Sequence, residues 1–261
     1  MNNYEKLEGM VAATFTPLDE NGDVNLSVID KYADWIASTP IKGIFVCGTT
    51  GEFSSLTIDE RKLILEKWLV SARKRFKVIA HVGSNCQRSA MELARHAAQV
   101  GADAIASIAP SFFKPGTVDE LVDFFAPICH SAAGLPFYYY NMPSITGVNL
   151  PVDKFLVEGK KKIPNLVGTK FTHNNLMEMG VCIELEQHRF EVLHGYDEIL
   201  ISGLAMGAVA GVGSTYNYIP NVYQAIFDSM KMNDLETARH NQIKSIRTVE
   251  VIIKYGGGVR G

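Results

Sequence analysis

The chain lacks the features that would indicate a membrane, metal or nucleotide-binding protein. None of its apolar runs approaches the ~18 residues of a membrane-spanning helix, and the N-terminal stretch has no long apolar segment of the secretory type. HExxH, GxSxG and Walker motifs are absent, and the seven histidines are scattered without metal-ligand spacing. We therefore expect no membrane span and no bound metal.

The chain also has little net charge and few cysteines. The 25 basic and 28 acidic side chains give a net charge of −3, which offers no reason to expect a nucleic-acid or anionic-membrane partner. Only four cysteines occur, at positions 47, 86, 129 and 182, without a CxxC pair. We interpret them as reduced core thiols of a cytoplasmic protein rather than as disulfide partners.

The sequence does contain short β-branched and aromatic runs that alternate with amphipathic stretches. Eight runs are predicted to be strands: 9–17, 41–48, 77–83, 103–110, 135–141, 166–172, 190–195 and 207–214. Several are apolar on both faces, which is typical of parallel strands covered on both sides. Eight strand–helix units predict a single domain over 1–261, a (β/α)8 TIM barrel of the α/β class with strands at about 9–214. A doubly wound sheet is the alternative, but Thr16-Pro17-Leu18 replaces the Gly-rich turn usual after its first strand.

Helix starts and ends are also predicted by local patterns. Ser27 is predicted to cap a helix whose apolar stripe begins at Val28. The segments Thr57–Glu60 and Thr117–Glu120 have the spacing of capping boxes. Gly101 follows the helix-like run 88–100 and is predicted to end that helix.

In a barrel of this type the chemistry lies at the C-terminal ends of the strands. The second strand is followed by Thr49 and Thr50 between glycines, where hydroxyls and backbone N–H groups can hold a carboxylate or phosphate oxygen. A tight turn leading into a helix is the alternative interpretation. Tyr140, at the end of the fifth strand, shares a face with Tyr138 and can move a proton there, although rim tyrosines more often only pack.

Lys170 is the least expected of these residues because it lies inside the sixth strand, two residues before the strand's predicted end at Thr172. An amine in a low-dielectric setting loses its proton more easily, and a neutral amine can attack a ketone to form a Schiff base. A lysine that extends out of the barrel mouth or pairs with a carboxylate is an equally weighted alternative. After the seventh strand, Asp197 and Glu198 can accept hydrogen bonds from a polyol, or simply begin a helix.

Five motifs together resemble the N-acetylneuraminate lyase/dihydrodipicolinate synthase family of class I, Schiff-base aldolases. They are GTTGE (48–52), YYYNMPSITG (138–147), GTKFT (168–172), GYDE (195–198) and GSTYN (213–217), and their order and spacing match over residues 8–261. The resemblance implies a homotetramer that acts on a small-molecule substrate, with no cofactor beyond a covalent Schiff base at Lys170. It assigns catalysis to Lys170 and Tyr140, and binding of the pyruvoyl carboxylate to Thr49 and Thr50. It also places Thr172, Gly195, Asp197, Glu198 and Ser214 at the sugar end of the site.

Within the family the pattern is closer to the lyases that cleave N-acetylneuraminate, a sialic acid, than to the synthases. Synthases usually have an arginine that binds a second carboxylate in the turn, which here reads Pro143-Ser144-Ile145-Thr146-Gly147. The expected reaction is reversible cleavage of sialic acid to pyruvate and N-acetylmannosamine. The alternatives are another pyruvate-dependent aldolase, such as a 2-keto-3-deoxy sugar acid lyase or a dihydrodipicolinate synthase-like enzyme, and a non-catalytic sialic-acid-binding barrel.

Two stretches depart from the family pattern. The loop after the fourth strand, Ser111–Pro115, has no tyrosine of the kind that reaches a neighbouring subunit's site in many members. The C-terminal helical part, 219–261, is expected to be incomplete, because relatives continue with further helices.

Overall fold

The computed structural model describes residues 5–257, and in it eight parallel strands close into a barrel. The strands are β1 Gly9–Ala13, β2 Gly43–Val46, β3 Lys77–His81, β4 Ala104–Ile108, β5 Phe137–Asn141, β6 Leu166–Phe171, β7 Glu191–His194 and β8 Ala210–Gly213. Each strand pairs with the next, and β8 pairs with β1. The predicted (β/α)8 fold is confirmed, and the doubly wound alternative is excluded because the sheet has no open edge.

Helices surround the barrel. In residues 5–257 they are α1 Ile29–Ala37, α2 Ile58–Ala72, α3 Gln87–Val100, α4 Val118–His130, α5 Pro143–Thr146, α6 Val152–Lys162, α7 Leu176–Glu184, α8 Leu200–Ala205, α9 Pro220–Lys231 and α10 Leu235–Lys254. Among these described helices, none combines the length and apolar character that crossing a bilayer requires.

The predicted helix ends are confirmed in part. Thr57 and Glu60 form the full capping box of α2, and Gly101 ends α3 with a φ of 85°. At α4, Thr117 accepts the Glu120 N–H, but the Glu120 carboxylate accepts from Gly116 N–H, so only half of the predicted box forms.

Two predictions were wrong in detail. Ser27 does not cap α1, because the Asn25 side chain accepts the Ser27 N–H and hydroxyl and caps a 3-10 turn at Leu26–Val28 instead. Asparagine competes well for this position because its side chain bonds the backbone two residues on. Cys86 is exposed just before α3 and is not a core thiol, whereas the other three cysteines are buried; all four are free.

Two apolar layers result from the alternation of side chains along the strands. An inner layer fills the barrel and includes Val11, Phe45 and Tyr138, while an outer layer between strands and helices includes Met10 and Tyr139. Tyr138 and Tyr140 therefore share the inner face and Tyr139 lies on the other, as predicted.

A register shift between β5 and β6 interrupts this alternation. Phe137 pairs with Leu166, but the next residue, Tyr138, pairs with Gly168, which leaves Val167 as an extra residue in β6. Because side chains alternate with a period of two, one extra residue moves every later side chain to the opposite face. Leu166 accordingly packs in the outer layer, while Lys170 points into the barrel beside Tyr140.

Candidate active site

All nine site residues predicted from the strand ends and from the family resemblance line one cavity at the carboxyl ends of the strands. The cavity has a volume of about 300 Å³ and includes Thr49, Thr50, Tyr140, Lys170, Thr172, Gly195, Asp197, Glu198 and Ser214. That volume lies at the lower end of the range for small-molecule sites. The structure thus brings the predicted residues together, while their individual roles stay predictions.

Lys170 lies deep in this cavity and is 4% exposed. It is the register partner of Tyr140 on the neighbouring strand, and its Nζ lies 3.8 Å from the centre of the Tyr140 ring. The Nζ atom donates a hydrogen bond to Thr172 Oγ1 at 3.0 Å. No carboxylate within residues 5–257 forms an ion pair with it. Neither alternative of the sequence analysis, a lysine extended into solvent or one paired with an acid, describes this side chain.

Tyr140 connects the lysine to the loop after β2. Its hydroxyl lies 3.1 Å from Thr49 Oγ1 and donates to Met142 Sδ at 3.0 Å. Its ring is held edge-on by Phe45 and His81, with centroid separations of 5.6 and 5.8 Å. This packing fixes the direction of the phenol. The Tyr140 hydroxyl is therefore close to the proposed carboxylate-binding hydroxyl of Thr49, while the Tyr140 ring lies against the amine of Lys170.

The loop that carries the two threonines is tightly folded against the barrel. A Cβ on Gly48 would lie 2.7 Å from the Phe45 ring, and one on Gly51 would lie 3.0 Å from the Thr14 carbonyl oxygen. Cys47, just before the loop, has a φ of 53°. The glycines on both sides of the threonine pair allow this close approach, so the hydroxyls face the cavity and not the helical layer.

Gly195 is required for the position of the lysine's partner. A Cβ at residue 195 would lie 2.0 Å from Thr172 Oγ1, the atom that accepts the Lys170 hydrogen bond. The Thr172 hydroxyl thus rests directly against the backbone of the loop after β7. A side chain at residue 195 would displace this hydroxyl.

Asp197 is buried beneath the mouth of the cavity, and the sequence alone gave no sign of this. Its Oδ2 accepts the Thr215 N–H at 2.8 Å and the Thr215 hydroxyl at 2.6 Å. Its Oδ1 has no hydrogen-bond partner among residues 5–257. Burial raises the pKa of Asp197 to about 6, against the lowering effect of the Thr215 hydrogen bonds. The Oδ1 oxygen faces the backbone of Gly213, where a Cβ would lie 1.8 Å from it, so a side chain at residue 213 would displace the carboxylate.

Several cavity residues were missed by the sequence analysis. Ala13, Met142, Tyr196, Val212 and Gly213 also line the cavity. Met142 follows β5 directly, so extending the strand-end rule by one residue would have found it. Ala13 and Val212 give no chemical signal in the sequence because they contribute only the shape of the wall.

His81 is a buried core histidine whose two ring nitrogens both have hydrogen-bond partners. Its Nδ1 lies 2.8 Å from the Cys47 carbonyl oxygen, and the Ile108 N–H donates to its Nε2 at 3.3 Å. Burial lowers the pKa of His81 well below its usual value, so the ring is neutral and serves as packing for Tyr140. Elsewhere in residues 5–257, no three His, Cys, Asp or Glu side chains lie together as a metal site would require.

The chain is similar to known proteins in both sequence and structure. The dihydrodipicolinate synthetase family matches residues 6–257. The chain belongs to this family. The N-acetylneuraminate lyase of Mus musculus is 43% identical over 258 residues, which are 98% of this chain and 81% of the mouse protein. That of Gallus gallus is 44% identical over 262 residues, which are 99% of this chain and 85% of the chicken protein.

Solved structures of dihydrodipicolinate synthetase family proteins agree with the fold. The N-acetylneuraminate lyase of Proteus mirabilis superposes with a TM-score of 0.95 at 36% identity, and the match covers 97% of this chain and 86% of that one. Within the family, the chain thus combines the shared barrel with the amine, phenol and threonine pair described above.

Proposed function

We propose that this chain is an N-acetylneuraminate lyase, a carbon–carbon lyase that reversibly cleaves sialic acid into pyruvate and N-acetylmannosamine. The observation that carries the proposal is the chain of contacts in the cavity. The amine of Lys170 lies against the Tyr140 ring, and the Tyr140 hydroxyl lies 3.1 Å from Thr49 Oγ1. The similarity to lyases over nearly the whole chain supports the same reaction.

The first half of the reaction forms a covalent link to Lys170. The neutral amine adds to the C2 ketone of open-chain sialic acid, and loss of water gives a protonated imine. Thr49 and Thr50 bind the C1 carboxylate, which orients C2 toward the amine. The protonated imine then serves as the electron acceptor, so the reaction as proposed needs neither a metal nor a cofactor.

The second half breaks the bond between C3 and C4. Tyr140 shuttles protons: it accepts the C4 hydroxyl proton while its own proton passes to the substrate carboxylate, either directly or through the Thr49 hydroxyl, which donates its own proton in turn. The electron pair of the C3–C4 bond moves into the imine and leaves an enamine, and N-acetylmannosamine departs as the aldehyde. Protonation at C3 and hydrolysis of the imine then release pyruvate and regenerate the amine.

The sugar end of the cavity favours a polyol over a second carboxylate. Glu198 lines this part of the cavity with a carboxylate that can accept a hydrogen bond from a substrate hydroxyl, and Asp197 also lines it, although its Oδ1 is fully buried. Thr172, Gly195, Glu198 and Ser214 line the same part of the cavity. In the turn of α5, Ile145 replaces the arginine that the synthases use, so that cation is missing here. These features favour the lyase over a dihydrodipicolinate synthase-like activity.

Reductive trapping tests the covalent step directly. Folded protein is incubated with pyruvate, reduced with borohydride and digested, and the peptide that contains Lys170 should carry the reduced pyruvoyl adduct. Lys170→Arg should lose the adduct because a guanidinium stays charged. Lys114→Arg, a change in the loop after β4, is the matched control and should keep it. Absence of an adduct on Lys170 in folded wild type would rule out this mechanism.

A substrate panel separates the remaining candidates. Pyruvate release from sialic acid, with little or none from 2-keto-3-deoxygluconate, supports the lyase. The opposite preference would support a deoxy-sugar acid lyase. Condensation of pyruvate with aspartate semialdehyde would support a synthase. Calorimetric binding of sialic acid without pyruvate release would support a binding protein.

We also propose that the protein is a cytoplasmic homotetramer. Large apolar side chains are exposed in two places that contacts between subunits would cover: Phe112 and Phe113 after β4, and Met177 and Met206 beside α7. The four free cysteines suit a reducing compartment. Light scattering should give four times the chain mass, and a monomeric mass at micromolar concentration would contradict the assembly. Cell fractionation tests the location.

A further inference from the structure

The sulfur of Met142 contacts both hydroxyls that the proposed reaction uses. The Tyr140 hydroxyl donates to Sδ at 3.0 Å, and Thr49 Oγ1 lies 3.8 Å from the same atom. The two oxygens lie 3.1 Å apart, so the three atoms form a triangle. Two hydroxyl protons are shared within it. Because a thioether accepts hydrogen bonds but donates none, the sulfur must receive one of these protons.

The backbone of Met142 is anchored where the side chain enters the cavity. Its carbonyl oxygen accepts the N–H groups of Ile145 at 3.2 Å and Thr146 at 3.1 Å, as well as the Thr146 hydroxyl at 3.1 Å. These bonds belong to the start of α5 and prevent the residue from moving out with the loop. The side chain is partly exposed and lines the same cavity as Lys170. A small solute that enters the cavity therefore reaches the sulfur.

We propose that Met142 is an oxidation site through which peroxides switch this enzyme off. The inference rests on the proposed lyase function. In the step, the sulfur attacks one peroxide oxygen and the O–O bond breaks. An S=O bond forms, the other oxygen leaves as water, and the sulfur loses the two electrons that reduce the peroxide. The product is methionine sulfoxide at residue 142.

The sulfoxide interferes with catalysis in either of its two configurations. If the new oxygen points toward Tyr140, it accepts the phenol proton far more strongly than the thioether and holds it away from the substrate. If it points into the cavity, it occupies the space beside Thr49 where the substrate carboxylate binds. If one ordinary hydrogen bond has to break before the phenol can react, the rate falls roughly tenfold. We therefore expect a loss of at least about tenfold, reversible because methionine sulfoxide can be reduced.

Other oxidisable side chains provide internal controls. Met232 after α9 is 70% exposed and does not line the cavity. It should be oxidised sooner than Met142 without loss of activity. Cys86 is the exposed cysteine of the described chain, and it too lies outside the cavity lining.

The experiment begins with the wild-type protein. Aliquots are exposed to increasing hydrogen peroxide, the oxidant is removed, and two quantities are measured: the initial rate of pyruvate release from sialic acid and the sulfoxide fraction of each methionine-containing peptide. The rate should fall in proportion to oxidation of Met142 and not of Met232. Treatment with methionine sulfoxide reductase should restore it. This correlation does not depend on any variant folding correctly.

Variants then locate the effect. Met142→Leu preserves the side-chain volume. Whatever the rate of pyruvate release by this variant before treatment, peroxide should lower that rate only slightly. Met232→Leu and Cys86→Ser should remain as sensitive as wild type. Activity that persists in fully oxidised Met142 protein would overturn this inference alone, as would a Met142 that peroxide leaves unmodified or a loss of rate that follows Cys86. An unoxidised protein that releases no pyruvate would overturn the lyase function and this inference with it.

Discussion

Replacing Asp197 with asparagine should make the protein more stable near pH 8 and barely change its stability near pH 4. Asparagine has almost the same shape, and its oxygen can still accept both hydrogen bonds from Thr215. What the substitution removes is the ionisation of a buried carboxyl. Any loss of packing or of an amide hydrogen bond changes the free energy of unfolding equally at both pH values. The pH-dependent part of the change in this free energy therefore reports the ionisation of Asp197 alone.

The size of the effect follows from the pKa of Asp197, which burial raises from 3.8 to about 6. Below pH 3.8 the carboxyl is neutral in both the folded and unfolded states. As pH rises from 3.8 to about 6, the unfolded chain ionises first, which lowers the free energy of unfolding; above about 6 the loss is complete. The interval between these pKa values corresponds to about 3 kcal/mol. Because the unfolded carboxyl is already partly ionised at pH 4, the stability of Asp197→Asn relative to wild type should increase by about 2.5 kcal/mol between pH 4 and pH 8.

Urea denaturation, at one fixed protein concentration because assembly contributes to stability, measures this difference. The exposed Asp23 offers a matched control, since Asp23→Asn should change the free energy of unfolding by less than about 0.5 kcal/mol at either pH. If the difference between Asp197→Asn and wild type is the same at pH 4 and pH 8, the carboxyl is not held at a raised pKa. Burial would then not be the dominant influence on the pKa of Asp197.

The remaining predictions concern the amine and its neighbours. Tyr140→Phe should still form the pyruvate imine but slow sialic acid cleavage by roughly 10² to 10⁴; equal single-turnover rates would remove the phenol from the mechanism. Gly195→Ala places a carbon 2.0 Å from Thr172 Oγ1 and should displace this partner of Lys170. The substitution should lower kcat/KM, and it should lower the free energy of unfolding by about 1–3 kcal/mol. Gly134→Ala, where nothing lies within 4 Å, should change neither, and equal effects at both glycines would contradict the contact argument.

The barrel and the location of the site could be predicted because they depend on patterns of period two and on the ends of strands. Apolar runs marked every strand, although each observed strand is shorter than its run; β1, for example, ends at Ala13 and not at residue 17. Since the carboxyl ends of parallel strands meet at one face, the polar residues that follow β2, β5 and β7 had to converge.

Contacts between distant parts of the chain could not be predicted in this way. The burial of Asp197 depends on Thr215, which is 18 residues away along the chain. The contact between Gly195 and Thr172 depends on how two loops pack. Even a local feature was wrong at Ser27, because the Asn25 side chain accepts the N–H and hydroxyl of Ser27, and the sequence alone does not rank the two residues as caps.

The surplus Val167 divides β6 into two stretches, each in register with β5. Without it, Leu166 and Gly168 would follow one another opposite Phe137 and Tyr138, so the Lys170 amine would still face the cavity. Between Gly168 and Lys170 the strand has no such freedom, because one residue more or less there would turn the amine outward, among the helices, even if every hydrophobic position remained filled. At that point in the sequence, a change of length would abolish activity while preserving the architecture.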